Sequence, residues 1–317
     1  MTGAAVESLD ALVIGEALVD VLDDGTSTTE HPGGSPANVA LGLGRRGLDV
    51  ALLTDLGRDA RGSRIVHHLE RSGVRVLTGS FSDRPTSTAT ATMREDGSAS
   101  YLFDVQWNPG AAPLAVAPAL VHTGSIGAFL SPGRATVLAH LDRLDARLVT
   151  FDPNIRPALL GTHLETIADF EELASRADVV KMSDEDAEWL YPRLSPTEVG
   201  ERVSALGPRL VVTTLGADGA LLVAQGIAVS VAAAAVPVTD TIGAGDTYMS
   251  SLIADLLAAD RPLDRSTIEV LGVRAAGAAA ITVSRAGADL PWATDLATAA
   301  LPSFDAIGGR APAVAHP

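Results

Sequence analysis

The stretch VTDTIGAGDTYMSSLIADLLAA, Val238 to Ala259, sets three small residues between two aspartates just ahead of a periodic apolar segment. Met249, Leu252, Ile253, Leu256 and Leu257 recur at helical spacing, so Gly243, Ala244 and Gly245 stand at a helix N-terminus. The first amides of a helix have no intrahelical partner, and the dipole there favours negative charge. Small residues let a phosphate approach that backbone closely, with Asp246 beside it in the first turn. Helix capping and a tight turn explain the same residues without any ligand, so the surrounding chain has to decide.

Outward from this turn, short aliphatic runs alternate with helical patterns. The runs are Ala11 to Gly15, Val50 to Gly57, Leu148 to Asp152, Asp178 to Ser183 and Arg209 to Gly216. Helical spacing covers Ala37 to Arg46, Ala60 to Arg71 and Ser131 to Leu144. This alternation predicts βαβ units on a doubly wound, mostly parallel sheet, an α/β fold whose ligands sit at the carboxyl ends of the strands. Two segments break the rhythm. Polar and apolar residues alternate on both sides of Asp96-Gly97, a hairpin signal, and Val21 to Glu30 has the same character. We read the two as a small antiparallel flap, which divides the chain into a core of residues 1–20, 31–79 and 111–317 and a β lid of residues 21–30 and 80–110.

Composition narrows the function. Nearly half of the 317 residues are apolar, enough for a large core, and there is no cysteine, which excludes disulfides, thiolate nucleophiles and cysteine metal clusters. A formal charge of −16 argues against nucleic acid or an anionic membrane as partner. The N-terminus carries Glu7 and Asp10 where a secretory signal needs cations, and elsewhere charge or proline interrupts the apolar runs. The expectation is a cytoplasmic protein that takes a small anion on backbone amides rather than on a basic surface.

Further segments carry chemistry-bearing residues, each with a plain structural explanation of its own. GGSPANVALGLGRRG, Gly33 to Gly47, places glycines and a proline before Asn38 and a small-residue helix. FDPNIRP, Phe151 to Pro157, sets Asp152, Asn154 and Arg156 at alternate positions past a strand. KMSDEDAEWL, Lys181 to Leu190, crowds Asp184, Glu185 and Asp186 into a first helical turn, and TTLGADGALL, Thr213 to Leu222, reads as strand, turn and strand.

Taken in order with GEALVD (Gly15 to Asp20) and DTIGAGD (Asp240 to Asp246), these segments resemble the ribokinase or PfkB carbohydrate kinase family, its fructokinase-like members most closely. The resemblance runs from Gly15 to Gly287 and implies a ribokinase-like α/β fold whose flap is a substrate lid. It implies transfer of the γ-phosphoryl of ATP to a sugar hydroxyl, with fructose or a related ketose or sugar acid as the leading substrate. Asp246 matches the catalytic base, and Gly243, Ala244 and Gly245 match the anion hole. Asp20, Gly34 and Asn38 match sugar-holding positions, and Arg156 a cation near the transferred group. Lys181, Ser183, Thr214, Gly216, Gly219 and Gly245 match the nucleotide side.

The resemblance also implies Mg2+, held through water by Asp186 or Glu185, and a monovalent cation, potassium, near Asp240, Ile242, Ser284 and Gly287. Ser183-x-x-Asp186 stands where N-x-x-E is usual, Ile242 where threonine is common, and the flap lacks the arginine of many fructokinases. Some relatives dimerise through the lid. Two alternatives stay open: a nucleoside kinase, which needs a larger apolar pocket than this aromatic-poor flap offers, and a non-catalytic sugar- or nucleotide-binding member, which would not need Asp246. The seven histidines show no metal spacing. Trp107 in the flap is open to two readings, a sugar stack or a packed aromatic.

Overall fold

The computed structural model of the chain describes residues 9–23, 25–93, 99–111, 114, 116–259, 261–299 and 301–304. The first half runs β1 (Ala11–Ile14), β2 (Leu18–Asp23), β3 (Thr28–Gly33), α1 (Ser35–Arg45), β4 (Val50–Leu53), β5 (Leu56–Gly57), α2 (Ala60–Glu70), β6 (Val74–Val76), β7 (Phe81–Ser82), β8 (Thr88–Met93) and β9 (Ala99–Asp104). Then come β10 (Leu120–Gly124), α3 (Ser125–Phe129), α4 (Gly133–Arg143), β11 (Leu148–Asp152), α5 (His163–Ala174), β12 (Val179–Ser183), α6 (Asp184–Leu190) and α7 (Pro196–Ser204). The last part holds β13 (Leu210–Thr214), β14 (Ala220–Ala224), β15 (Ile227–Val231), α8 (Ala244–Ala258), α9 (Arg265–Val283) and α10 (Ala293–Thr298).

Nine strands form one sheet in the order β15-β14-β13-β12-β11-β10-β1-β4-β6. From β6 through β13 every pairing is parallel, and β14 and β15 close the far edge antiparallel. Strand order reverses between β1 and β10, the topological switch point at which α/β sheets of this kind open a crevice. Both faces are covered, which is why β1 and β4 are buried at every residue and read as unbroken aliphatic runs. On one face Val13 packs with residues of α1, α2, α8 and α9, and on the other Leu12 and Ile14 pack with residues of α3 to α7.

A second sheet has the order β3-β2-β8-β9. Its two hairpins are antiparallel, but β2 and β8 join them side by side in parallel, with Asp20 opposite Ala89, so the flap is mixed rather than antiparallel. The Asp96-Gly97 turn and the tail from residue 305 lie outside the described residues. Trp107 is buried against Gly133, where an added Cβ would lie 2.2 Å from its ring, and so packs into the body.

Among the described residues, α9 alone is long and apolar enough to cross a bilayer by length and composition. It lies along α8, β14 and β15 with Ile268, Leu271 and Ala275 buried, and Arg274 pairs with Asp255 of α8 at 2.7 Å. Strand β10, LVHTG, escapes a search for apolar runs because of its polar residues. His122 Nδ1 lies 2.9 Å from Thr150 Oγ1 on β11, and Thr123 donates to the Ile14 carbonyl on β1, so each polar side chain has one anchor inside the sheet, although His122 Nε2 is buried without a partner.

Candidate active site

Two helix N-termini meet beyond the carboxyl ends of β1, β10, β11 and β12. Helix α1 starts behind Gly34, whose φ of 104° and closeness to the Glu16 carbonyl (2.5 Å from an added Cβ) admit only glycine. Pro36 then suits the first turn, where an amide is not needed. Ser35 and Asn38, three residues apart, fall on one face of α1. Both reach the first turn of α8: Ser35 Oγ donates to Asp246 Oδ1 at 2.7 Å and Asn38 Nδ2 to Oδ2 at 2.8 Å. The close approach of the helices depends on Gly42, where an added Cβ would stand 2.4 Å from Ser250 Oγ.

Burial pushes the Asp246 carboxyl above its ordinary value, while the Ser35 and Asn38 donors and the charges of Lys181 and Arg156 pull it back. Asp20, on β2, faces the same space. It remains exposed, and partial loss of hydration, followed by the Asp246 charge, raises it to about 6, against the opposing influence of His31 and Arg156. Gly33 leaves room for this carboxylate, since an added Cβ would sit 2.0 Å from Asp20 Oδ2 and would push it aside. Arg156 is exposed, its Nη1 donating to the Ile155 carbonyl at 3.0 Å.

Gly243 caps α8 with a left-handed φ of 79°; the Ala244 amide donates to the Thr241 carbonyl at 3.2 Å, and helix geometry leaves the amides of Gly245 and Asp246 without carbonyl partners in the helix. Under this turn lies a buried ion pair, Lys181 Nζ to Asp152 Oδ2 at 2.8 Å. A Cβ on Gly245 would lie 2.9 Å from that same Nζ, so the ammonium backs the glycine turn from within. Burial works against the Lys181 charge, but the carboxylates of Asp152, Asp246 and Asp186 outweigh it and raise its pKa. Asp152 Oδ1 is buried with no hydrogen-bond partner.

Ser183 and Asp186 form the capping box of α6. Asp186 accepts from the Ser183 amide at 2.9 Å and from the Ile155 amide at 2.7 Å, so both its oxygens tie backbone together. Glu185 is exposed on the same turn. At the far side, Gly216 (φ 55°) is exposed with open space around it, and Thr214 stands at the end of β13. Gly219 is buried in the turn itself, its missing Cβ replaced by the Val231 carbonyl. Asp240 joins two loops, accepting from the Ile242 amide at 3.0 Å and the Gly287 amide at 2.9 Å, while the Ser284 carbonyl accepts from Thr239.

A carboxylate aimed by two donors, beside a glycine-rich helix start and backed by a buried ammonium, can take a proton from an alcohol and steady an anion. The model for the pfkB family carbohydrate kinases matches residues 7–295. The chain belongs to that family. This pfkB kinase is 32% identical over 261 residues to a fructokinase of Rhizobium leguminosarum bv. trifolii, covering 77% of this chain and 79% of the relative. A fructokinase double mutant from Vibrio cholerae, solved with fructose, ADP and a potassium ion, superposes with a TM-score of 0.78 at 28% identity, covering 93% and 99% of the two chains. Aminoimidazole riboside kinase from Salmonella enterica, solved with aminoimidazole riboside and an ATP analogue, gives 0.75 at 26% identity, with 92% and 99% covered.

The pfkB kinase thus has the ribokinase fold and is a phosphotransferase acting on a sugar hydroxyl with ATP. Its structure brings Asp20, Gly34, Asn38, Arg156 and Lys181 around Asp246. Ser35, Asp152 and Glu16 complete the surroundings and were not among the predicted site residues. Ser35 could have been found from its place three residues before Asn38 at a helix start. Asp152 stood out in FDPNIRP without a role and Lys181 was placed on the nucleotide side, but their pairing has no local signal, because they meet only when β11 and β12 lie side by side. Glu16 is buried just past β1, its pKa pushed by desolvation up to about 7 despite hydrogen bonds from Ser125 and the Gly127 amide.

Proposed function

We propose that this pfkB kinase phosphorylates fructose, with Asp246 as the general base. The observation that carries this reading is the convergence of Ser35 and Asn38 on Asp246 at the start of α8. Their hydrogen bonds leave the carboxylate fixed in direction, and burial raises its basicity, as a base working near neutral pH requires. Asp20, Gly34 and Asn38 hold sugar hydroxyls, since a carboxylate and an amide offer acceptor and donor to a polyol.

The sugar hydroxyl gives its proton to Asp246 as its oxygen attacks the γ-phosphorus, and the bond from that phosphorus to the β–γ bridging oxygen breaks. Negative charge on the transferred phosphoryl oxygens is met by the amides of Gly243, Ala244 and Gly245, with the Lys181 ammonium behind Gly245 and the Arg156 guanidinium on the open side. Such fixed donors act without reorganising, which is where catalysis of phosphoryl transfer gains most.

Mg2+ bound with ATP would supply positive charge to the phosphate oxygens. The two oxygens of Asp186 are committed to backbone amides, which suits contact with the ion through water rather than direct ligation, and Glu185 is the exposed carboxylate beside it. We assign the nucleotide to the side bounded by Ser183, Thr214 and Gly216, with Gly219 shaping the turn. A potassium ion suits the loops of Asp240, Ile242, Ser284 and Gly287, which the Asp240 carboxylate ties together through the Ile242 and Gly287 amides. The sheet β3-β2-β8-β9 serves as the lid over the sugar, and a kinase that consumes ATP is placed in the cytoplasm.

The test is release of ADP from Mg-ATP with potassium present, against fructose, ribose, 2-keto-3-deoxygluconate, adenosine and inosine. Turnover greatest on fructose supports the assignment. Turnover confined to another sugar would keep the mechanism and change the substrate, and turnover confined to a nucleoside would reject the sugar assignment.

A further inference from the structure

Residues 284–292 lead from the end of α9 over the start of α8, and their course is fixed at three places. First, the Gly287 amide donates to Asp240 at 2.9 Å, which ties the segment to the loop entering α8. Next, Ala288 and Leu290 lie against Gly243, where an added Cβ would stand 2.9 Å from the Ala288 Cβ and 3.4 Å from Leu290 Cδ1. Leu290 is wholly buried, and its other methyl faces α1, 2.8 Å from an added Cβ on Gly42. One leucine thus fills the space between a glycine on each of the two helices that build the site.

The third tie comes from Arg45, in the last turn of α1. Its Nη1 donates to the Leu290 carbonyl and, at 2.8 Å, to Asp289 Oδ1, while its guanidinium lies over the Trp292 ring, 5.1 Å from the centroid. Its Nε reaches Ser72 Oγ at 3.4 Å. The Arg45 side chain is 10% exposed and that of Asp289 49%, so the arginine is the packed partner of the pair. A planar fork that holds a carbonyl and a carboxylate while stacking on a ring fixes all three in one geometry. Helix α1 therefore touches the site at both ends: Ser35 and Asn38 aim Asp246, and Arg45 holds the segment that backs Gly243.

We propose that Arg45 is a positioning residue: by holding Asp289 and Leu290 it keeps residues 288–290 against Gly243 and so fixes the glycine turn that meets the transferred phosphoryl. This rests on the reading of Gly243 to Gly245 as the anion hole but not on fructose as substrate. In Arg45→Met the apolar stem remains and the fork is lost. The segment then keeps its tie to Asp240 and its packing on Gly243, but nothing from α1 pins the Leu290 carbonyl.

The experiment compares wild type, Arg45→Met, Asp289→Ala and the double variant on the sugar that wild type turns over fastest. Arg45→Met is expected to lower kcat about tenfold with KM for the sugar little changed, and Asp289→Ala, which removes one exposed partner, about two- to fivefold. The double variant is expected to be no slower than Arg45→Met, and losses that multiply would overturn the proposal. The pH profile separates positioning from a general loosening of α1. Ser35 and Asn38 still aim Asp246 in Arg45→Met, so the acid limb of kcat/KM stays in place, and a shift of that limb to higher pH would overturn the proposal. A readout without catalysis is amide hydrogen exchange at residues 241–246, expected to rise in both single variants. Asp289→Ala changes an exposed side chain and carries the test if Arg45→Met does not fold. Unchanged exchange would overturn the positioning role, whereas wild-type kcat in Gly245→Ala would count against the anion-hole reading alone.

Discussion

Asn38 Nδ2 and Asp246 Oδ2 are 208 residues apart in the chain and 2.8 Å apart in space. With Ser35 on the other oxygen, α1 determines both the direction and the basicity of the carboxylate on α8. Removing either donor removes an influence that lowers the Asp246 pKa. In Asn38→Ala or Ser35→Ala that pKa therefore rises further, and the acid limb of the kcat/KM profile moves to higher pH. A charge-assisted hydrogen bond of about 1.5–3 kcal/mol corresponds to a loss of roughly 10- to 100-fold at neutral pH. Profiles measured from pH 5 to 9 check both the shift and its sign.

Lys181 is buried with its charge paired to Asp152 at 2.8 Å. Lys181→Met would leave Asp152 buried opposite a thioether, with a destabilisation of about 3–5 kcal/mol for the broken pair. Adding Asp152→Asn to Lys181→Met removes the unpaired charge and recovers part of that loss. Denaturant melts of the three proteins decide it. Equal stability of the single and double variants would contradict the pairing.

Gly245 tests the same ammonium from above. A methyl group at this position would lie 2.9 Å from Lys181 Nζ, displacing either the lysine or the start of α8. Gly245→Ala is expected to lower kcat by about 10- to 100-fold with KM for the sugar little changed, because it disturbs donors that act mainly on the transferred phosphoryl. Steady-state kinetics with each substrate varied in turn measure the split.

Asp20 links function to stability. Its folded-state pKa is raised to about 6, above that of an unfolded aspartate, so the folded protein binds the proton more tightly. Its unfavourable contribution is absent below the unfolded pKa, near 4, and develops as pH rises through about 6. Because the side chain remains exposed, the effect is small: Asp20→Asn is expected to melt slightly higher than wild type at pH 8 and no higher at pH 4, while binding sugar more weakly. Thermal melts at the two pH values give the comparison.

Asp240 is expected to govern the cation response. Its two oxygens hold the Ile242 and Gly287 amides, joining the loop before α8 to the loop after α9. Asp240→Ala should abolish any stimulation of turnover by potassium over sodium. Equal stimulation in wild type and variant would remove the cation from this pair of loops.

Much of the architecture was legible because sheets covered on both faces demand aliphatic strands, as in β1 and β4, and because α8 announces itself by spacing and by Gly243 to Gly245. The parts that were not legible depend on satisfaction across the sheet. In β10, His122 and Thr123 interrupt the apolar pattern, yet Thr150 and the Ile14 carbonyl accommodate them in the interior. The parallel join of β2 to β8 has no local signature, since it brings together segments about seventy residues apart, whereas each hairpin carries its own turn.

The site divides in the same way. Asp246, Asn38 and Asp20 could be singled out because their segments have a distinctive order, and Asn38 touches Asp246 directly. Asp186 was expected near a metal through water, and its oxygens also cap α6 and hold Ile155, a use that Ser183-x-x-Asp186 satisfies as a plain capping box. Ser35 and Glu16 act through contacts with residues more than 100 positions away, which composition and periodicity do not register.

The most direct test of the account is turnover by Asp246→Asn on the sugar preferred by wild type, with sugar binding followed separately by calorimetry. The account predicts a fall in kcat of about 10³-fold or more while the sugar still binds, because an amide accepts no proton from the attacking hydroxyl. Turnover at the wild-type rate with sugar bound would contradict Asp246 as the base.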